Sequence, residues 1–106
     1  MSWNVTFYEE AKKDLERLSG NQRIAVRKAI EKVKQNPLPN YLGGYGKPLG
    51  NKNNSSLAGL LKIKLKKEGL RIVYKLIITE TEMRIVVIGA RADDQVYINA
   101  NKRVSS

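Results

Sequence analysis

The most constraining stretch of this 106-residue chain is its most regular one, Leu61-Lys62-Ile63-Lys64-Leu65-Lys66. Apolar and basic residues alternate there without a break. A strand turns successive side chains to opposite faces, so Leu61, Ile63 and Leu65 face one side of a sheet and Lys62, Lys64 and Lys66 the other. Lys67-Glu68-Gly69 supplies a turn, and residues 70–79 continue as a second strand. Leu70, Ile72, Tyr74, Leu76 and Ile78 lie on one of its faces, and Arg71, Val73, Lys75 and Ile77 on the other. After a turn over 79–82, residues 83–90 give a third strand dense in Val and Ile. Three consecutive strands joined by short turns predict an antiparallel meander.

Ahead of the meander, residues 3–7 predict a short strand, and Thr6-Phe7-Tyr8-Glu9 has the form of a capping box that opens a helix. Phe7, Ala11, Leu15 and Leu18 recur at helical spacing, and Gly20 reads as the helix terminator. A second helix starts near Asn21, carries Val26, Ala29, Ile30 and Val33 on one stripe, and stops at Asn36-Pro37. Residues 37–59 are rich in Gly, Pro, Asn and Ser; they read as a long loop with room for a short strand, anchored by Tyr41, Leu42, Tyr45 and Leu49. Val96, Ala100 and Val104 at spacing four predict a short C-terminal helix capped by Asp93 or Asp94. No repeat or linker divides the chain, so one domain over 1–106 is expected. The fold class is α+β: a short N-terminal strand, a two-helix hairpin packed on a three-stranded antiparallel meander, and a short C-terminal helix.

Composition narrows the chemistry. With no Cys and no His, disulfides, thiolate sites and the commonest metal ligand and general base are all excluded. Gly43-Gly44-Tyr45-Gly46-Lys47 lacks the spacing and the following Ser/Thr of a phosphate-binding loop, so neither a nucleotide cofactor nor a metal is expected. No apolar run is long enough to span a bilayer and no signal peptide is visible, which leads to a cytoplasmic expectation with no membrane partner. The formal charge of +10 favours a polyanionic partner. The excess is sharpest over 37–68, where six basic side chains face one acid, Glu68.

Pairing the first two meander strands brings Lys62, Lys64 and Lys66 beside Arg71 and Lys75. On the lysines alone, the solvated face of a sheet and an anion-binding surface both remain open. Arg91 just past the third strand and Tyr97 beyond it can fold over the same face. Arg and Lys can stabilise the charge that develops on a phosphodiester attacked by its own 2′-hydroxyl. Crowding by like charge lowers a lysine pKa towards a working base, and a tyrosine can stack on a nucleobase.

Lys62-Ile63-Lys64-Leu65, then Gly69-Leu70-Arg71-Ile72-Val73-Tyr74, Ile88-Gly89-Ala90-Arg91 and Val96-Tyr97 resemble, in order and spacing, the catalytic half of the RelE branch of the RelE/ParE toxin superfamily. The order of elements is similar along almost the whole chain. The resemblance implies the toxin of a type II toxin-antitoxin system, a metal-independent endoribonuclease that cuts mRNA in the ribosomal A site. Carried over position by position, Lys62, Lys64, Arg71, Arg91 and Tyr97 are the catalytic set, with Lys66 and Lys75 as further RNA-binding residues. The partners implied are a cognate antitoxin, the ribosome and mRNA. Asp93 and Asp94 stand where the family pattern often has more basic residues, and the Gly/Asn-rich loop is a second departure. The ParE branch poisons DNA gyrase on the same fold, and a non-catalytic nucleic-acid-binding module would use the same basic face; both stand as alternatives.

Overall fold

The computed structural model describes residues 2–49, 59–90 and 95–105. Five strands form one mixed sheet in the order β1-β5-β4-β3-β2. They are β1 (Asn4–Phe7), β2 (Lys47–Pro48), β3 (Leu60–Leu65), β4 (Leu70–Ile77) and β5 (Glu82–Ala90). The meander β3-β4-β5 is antiparallel as its alternation requires, with Lys64 opposite Arg71 and Arg71 opposite Gly89. Gly69 makes the β3–β4 turn at φ 68°, a left-handed conformation that glycine adopts without a Cβ penalty. Two strands extend the meander: β1 runs parallel to β5, and β2 pairs antiparallel with β3.

Helices α1 (Glu9–Glu16) and α2 (Gly20–Val33) cover one face of the sheet, and α3 (Gln95–Ser105) packs on the other. The first core joins Ala11, Val26, Ile30 and Val33 to Leu61, Ile72, Tyr74 and Ile85, with Phe7, Leu15, Leu18, Ile63, Leu65 and Leu76 partly buried around them. That is the register expected from the strand alternation. The second core sets Val96 and Ala100 of α3 against Leu60, Val73, Val86 and Val87. A register shift between Val73 and Tyr74 of β4 marks a bulge in the β4–β5 pairing.

Three local expectations give way to tertiary structure. Thr6 does not cap α1: it lies in β1, its hydroxyl donates to Glu82 Oε2 at 2.6 Å, and Tyr8 occupies the cap position without a side-chain bond. Pairing with β5 as far as Phe7 outweighs the local capping signal. Gly20 does not terminate α1 but opens α2, where Ser19 and Gln22 form a reciprocal capping box. Of the four proposed loop anchors only Leu49 is buried; Tyr41, Leu42 and Tyr45 are exposed. Asp93 and Asp94 lie outside the described residues, as does much of the loop before β3.

Candidate active site

The face of the sheet under α3 carries the basic side chains of β3 and β4. Lys62 lies opposite Val73, and Lys64 opposite Arg71. Next across the sheet, Gly89 faces Arg71, and a Cβ at that glycine would meet Val96 Cγ2 at 2.6 Å. Gly89 is therefore the gap into which the first turn of α3 settles. Tyr97 follows Val96 and its ring comes down on the basic residues: Arg71 Cζ is 5.0 Å from the ring centroid and Lys62 Nζ 6.0 Å. Both distances fall within the range of cation–π attraction.

Arg71 Nε is buried and has no hydrogen-bond partner among the described residues. An unsatisfied buried donor costs about 1–3 kcal/mol, so natural chains keep few of them. A guanidinium held against an aromatic ring with donor capacity to spare can receive an anion. Lys62 and Lys64 each make further contacts within the chain.

Four of the five proposed catalytic residues are thus in the described part of the chain, on one face: Lys62, Lys64, Arg71 and Tyr97. Arg91 lies outside the described residues. Lys66, exposed just past β3, borders the same groove as Lys62 and Lys64. Lys75 is on the same face of β4 but four residues along from Arg71, and its Nζ sits 5.4 Å from the Tyr8 ring centroid. It belongs to a separate neighbourhood with Arg84, its partner across the sheet. Among the described residues no three His, Cys, Asp or Glu side chains converge as a metal-binding group.

Sequence reasoning missed the residues that fasten α3 to the sheet. Beyond Phe7, β1 no longer covers the edge of β5. Asp14 of α1 accepts from the Ile88 amide at 3.1 Å, and Arg103 of α3 donates to the Val86 carbonyl at 2.7 Å. The two side chains then pair with each other. Both interrupt apolar stripes, Asp14 between Ala11 and Leu15 and Arg103 between Ala100 and Val104, and a charge in such a position is the signal that was available.

No family model matches the chain. The mRNA interferase toxin RelE of Escherichia coli (strain K12) is 27% identical over 106 residues, covering 98% of this chain and 99% of that protein. The isolated E. coli RelE toxin superposes with a TM-score of 0.70 at 25% identity, covering 97% of this chain and 99% of the other. A chain of the toxin-antitoxin complex RelBE2 from Mycobacterium tuberculosis gives 0.69 at 26% identity, with 88% and 95% covered. In sequence and in fold, along nearly their full length, this chain is similar to RelE toxins.

Proposed function

We propose that the chain is the toxin of a type II toxin-antitoxin pair, an endoribonuclease that cuts mRNA in the ribosomal A site without a metal ion. The observation that carries this reading is the Arg71 guanidinium, stacked on Tyr97 beside Lys62 and holding an unpartnered buried Nε. The name of the E. coli relative, an mRNA interferase, points the same way.

In the reaction, a lysine of the Lys62/Lys64 pair takes the proton of a 2′-hydroxyl, whose oxygen attacks the adjacent phosphorus. The bond to the 5′-oxygen breaks, that oxygen takes up a proton, and a 2′,3′-cyclic phosphate remains. Arg71 and Arg91 stabilise the charge gathering on the phosphoryl oxygens, an electrostatic contribution that grows in a site screened from water. Tyr97 stacks on and orients the nucleotide. A cognate antitoxin is the expected protein partner, since one of the fold neighbours is a chain of a toxin-antitoxin complex. An acidic partner segment suits the uncompensated positive charge.

Gyrase inhibition requires no such Lys-Lys-Arg-Arg-Tyr set, which favours the nuclease over the ParE-like alternative. Single-turnover cleavage of mRNA on programmed ribosomes, with and without chelator, tests the reading, and gyrase with supercoiled DNA is the parallel arm. Cleavage that survives chelation supports it. Gyrase poisoning with intact mRNA would replace it.

A further inference from the structure

The basic groove that Lys62, Lys64 and Lys66 border, about 430 Å³ in volume, runs between α2 and the outer edge of β3, away from Tyr97. Among the described residues, β3 has a strand neighbour on this edge only at Leu61 and Lys62, where β2 pairs. The groove floor is apolar, with Val33 and Leu65 contributing. Lys62, Lys64 and Lys66 border it on the strand side, and Lys32, Tyr45 and Lys47 on the other. No acidic side chain is among its described lining residues.

Tyr45 is held outward by its loop. Its amide donates to the Asn36 carbonyl at 2.9 Å, Gly46 N to the Leu38 carbonyl at 3.1 Å, and Asn40 N to the Gly46 carbonyl at 2.7 Å. The buried Tyr74 hydroxyl donates to the Pro37 carbonyl at 2.7 Å, and burial pushes its pKa far above the usual tyrosine range, so it remains a donor. Gly44 and Gly46 lie so close to Leu38 and to the Tyr74 hydroxyl that any side chain there would collide with them. The loop is a stitched hook, and the ring it presents is 50% exposed, with Lys32 Nζ 5.2 Å from its centroid.

We propose that this groove is a second binding site for single-stranded RNA, in which Tyr45 stacks on a base while Lys32 and Lys47 hold phosphates flanking the nucleotide at Tyr97. The inference rests on the nuclease reading for the identity of its ligand. Lys62 and Lys64 border both sites, so one strand of RNA can pass from the first to the second around the edge of β3. Alternate residues of a strand are roughly 6.7 Å apart, a repeat commensurate with the phosphates of an extended single strand. An aromatic platform beside a cationic track is the general means of holding single-stranded nucleic acid.

The test uses a fully 2′-O-methylated oligonucleotide, which has no free 2′-hydroxyl to attack, and the full chain in anisotropy titrations across salt concentrations. Tyr45→Ala, and separately the double variant Lys32→Ala/Lys47→Ala, should weaken binding by about tenfold or more. Tyr45→Phe should bind like the unsubstituted protein. The double variant should also flatten the log–log salt dependence by about 0.7 for each phosphate that is no longer neutralised. On programmed ribosomes, both variants should need more protein for half-maximal cleavage and reach the same saturating rate. Unchanged affinity and salt slope in the variants, or no binding of the oligonucleotide by the unsubstituted protein, would each overturn the groove assignment. Binding that responds as expected in a protein that cleaves nothing leaves the groove standing and removes the nuclease; normal cleavage with unaffected binding does the reverse.

Discussion

Arg103 Nη1 lies 2.8 Å from Asp14 Oδ2, joining residues 89 positions apart across the edge of β5, with side chains only 13% and 8% exposed. Because each partner also bonds the β5 backbone, the pair fastens the helices on the two faces to the same strand. Removing Arg103 leaves the buried Asp14 carboxylate with the Ile88 amide and the exposed Arg17 at 3.6 Å, so the loss approaches but need not reach the roughly 3–5 kcal/mol typical of breaking a buried pair. Arg103→Ala should therefore lower the melting temperature markedly, and because Arg103 anchors the helix that carries Tyr97, it should also slow cleavage in whatever fraction remains folded. A double-mutant cycle with Asp14→Ala in urea unfolding checks this. Additive losses would show that the two side chains act separately.

Arg71 separates stability from activity. Its Nε is buried without a partner, so Arg71→Met, which keeps much of the aliphatic bulk, should leave the unfolding midpoint unchanged or raise it. The same variant should slow single-turnover mRNA cleavage by on the order of a hundred- to a thousandfold. Arg71→Lys keeps the charge but not the planar fork that stacks on Tyr97, and should recover little of the rate. Lys28→Ala, on the exposed side of α2, controls for diffuse attraction. Equal losses at Lys28 and Arg71 would reduce the site to a general electrostatic surface.

Glu82 gives the fold a defined acid response. The Thr6 hydroxyl bonds its carboxylate at 2.6 Å and is the main reason its pKa is lowered; the Arg84 hydrogen bond and charge, and the Lys75 charge, act in the same direction against the opposing effect of burial. A carboxyl with a depressed folded-state pKa contributes stability that is fully present above its unfolded value and is lost as pH falls through the folded one. Glu82→Gln should thus be less stable than the unsubstituted protein near neutral pH, and the two melting curves should converge in acid. A difference that persists at low pH would place the effect in packing.

The meander and its two faces were legible because a strand has period two and this one alternates apolar with basic residues from Leu61 to Lys66. The same regularity, with the order of the RelE-like segments, brought Lys62, Lys64, Arg71 and Tyr97 to one face. The parallel pairing of β1 with β5 was not legible: Thr6 and Glu82 are 76 positions apart and nothing local encodes their contact. The hook that presents Tyr45 was equally hidden, since its glycines are dictated by close approach to Leu38 and Tyr74, and composition records them only as loop residues. Ser19–Gln22 was readable as a capping box, but Gly20 between them drew the reading towards a helix end.

Gly89 offers the sharpest test of how α3 is seated. It lies opposite Arg71 on β4, and a methyl group there would stand 2.6 Å from Val96 Cγ2, too close for any real Cβ. Val96 is buried against Val73, Val86 and Val87, so it cannot simply rotate away. Either α3 lifts or the β5 backbone shifts, and overpacking of this kind typically costs about 1–3 kcal/mol. Because Tyr97 is the next residue, lifting α3 also draws its ring from Arg71 and Lys62. Gly89→Ala should therefore lower the melting temperature modestly and depress the saturating cleavage rate out of proportion to that loss. Pairing it with Val96→Ala, which removes the colliding methyl, should restore part of the rate even though it sacrifices core packing. Recovery of rate in the double variant, measured in single-turnover cleavage beside each single variant, identifies the clash as the cause. Failure to recover while the fold stays intact would mean that Gly89 serves the site in some way other than by making room for Val96.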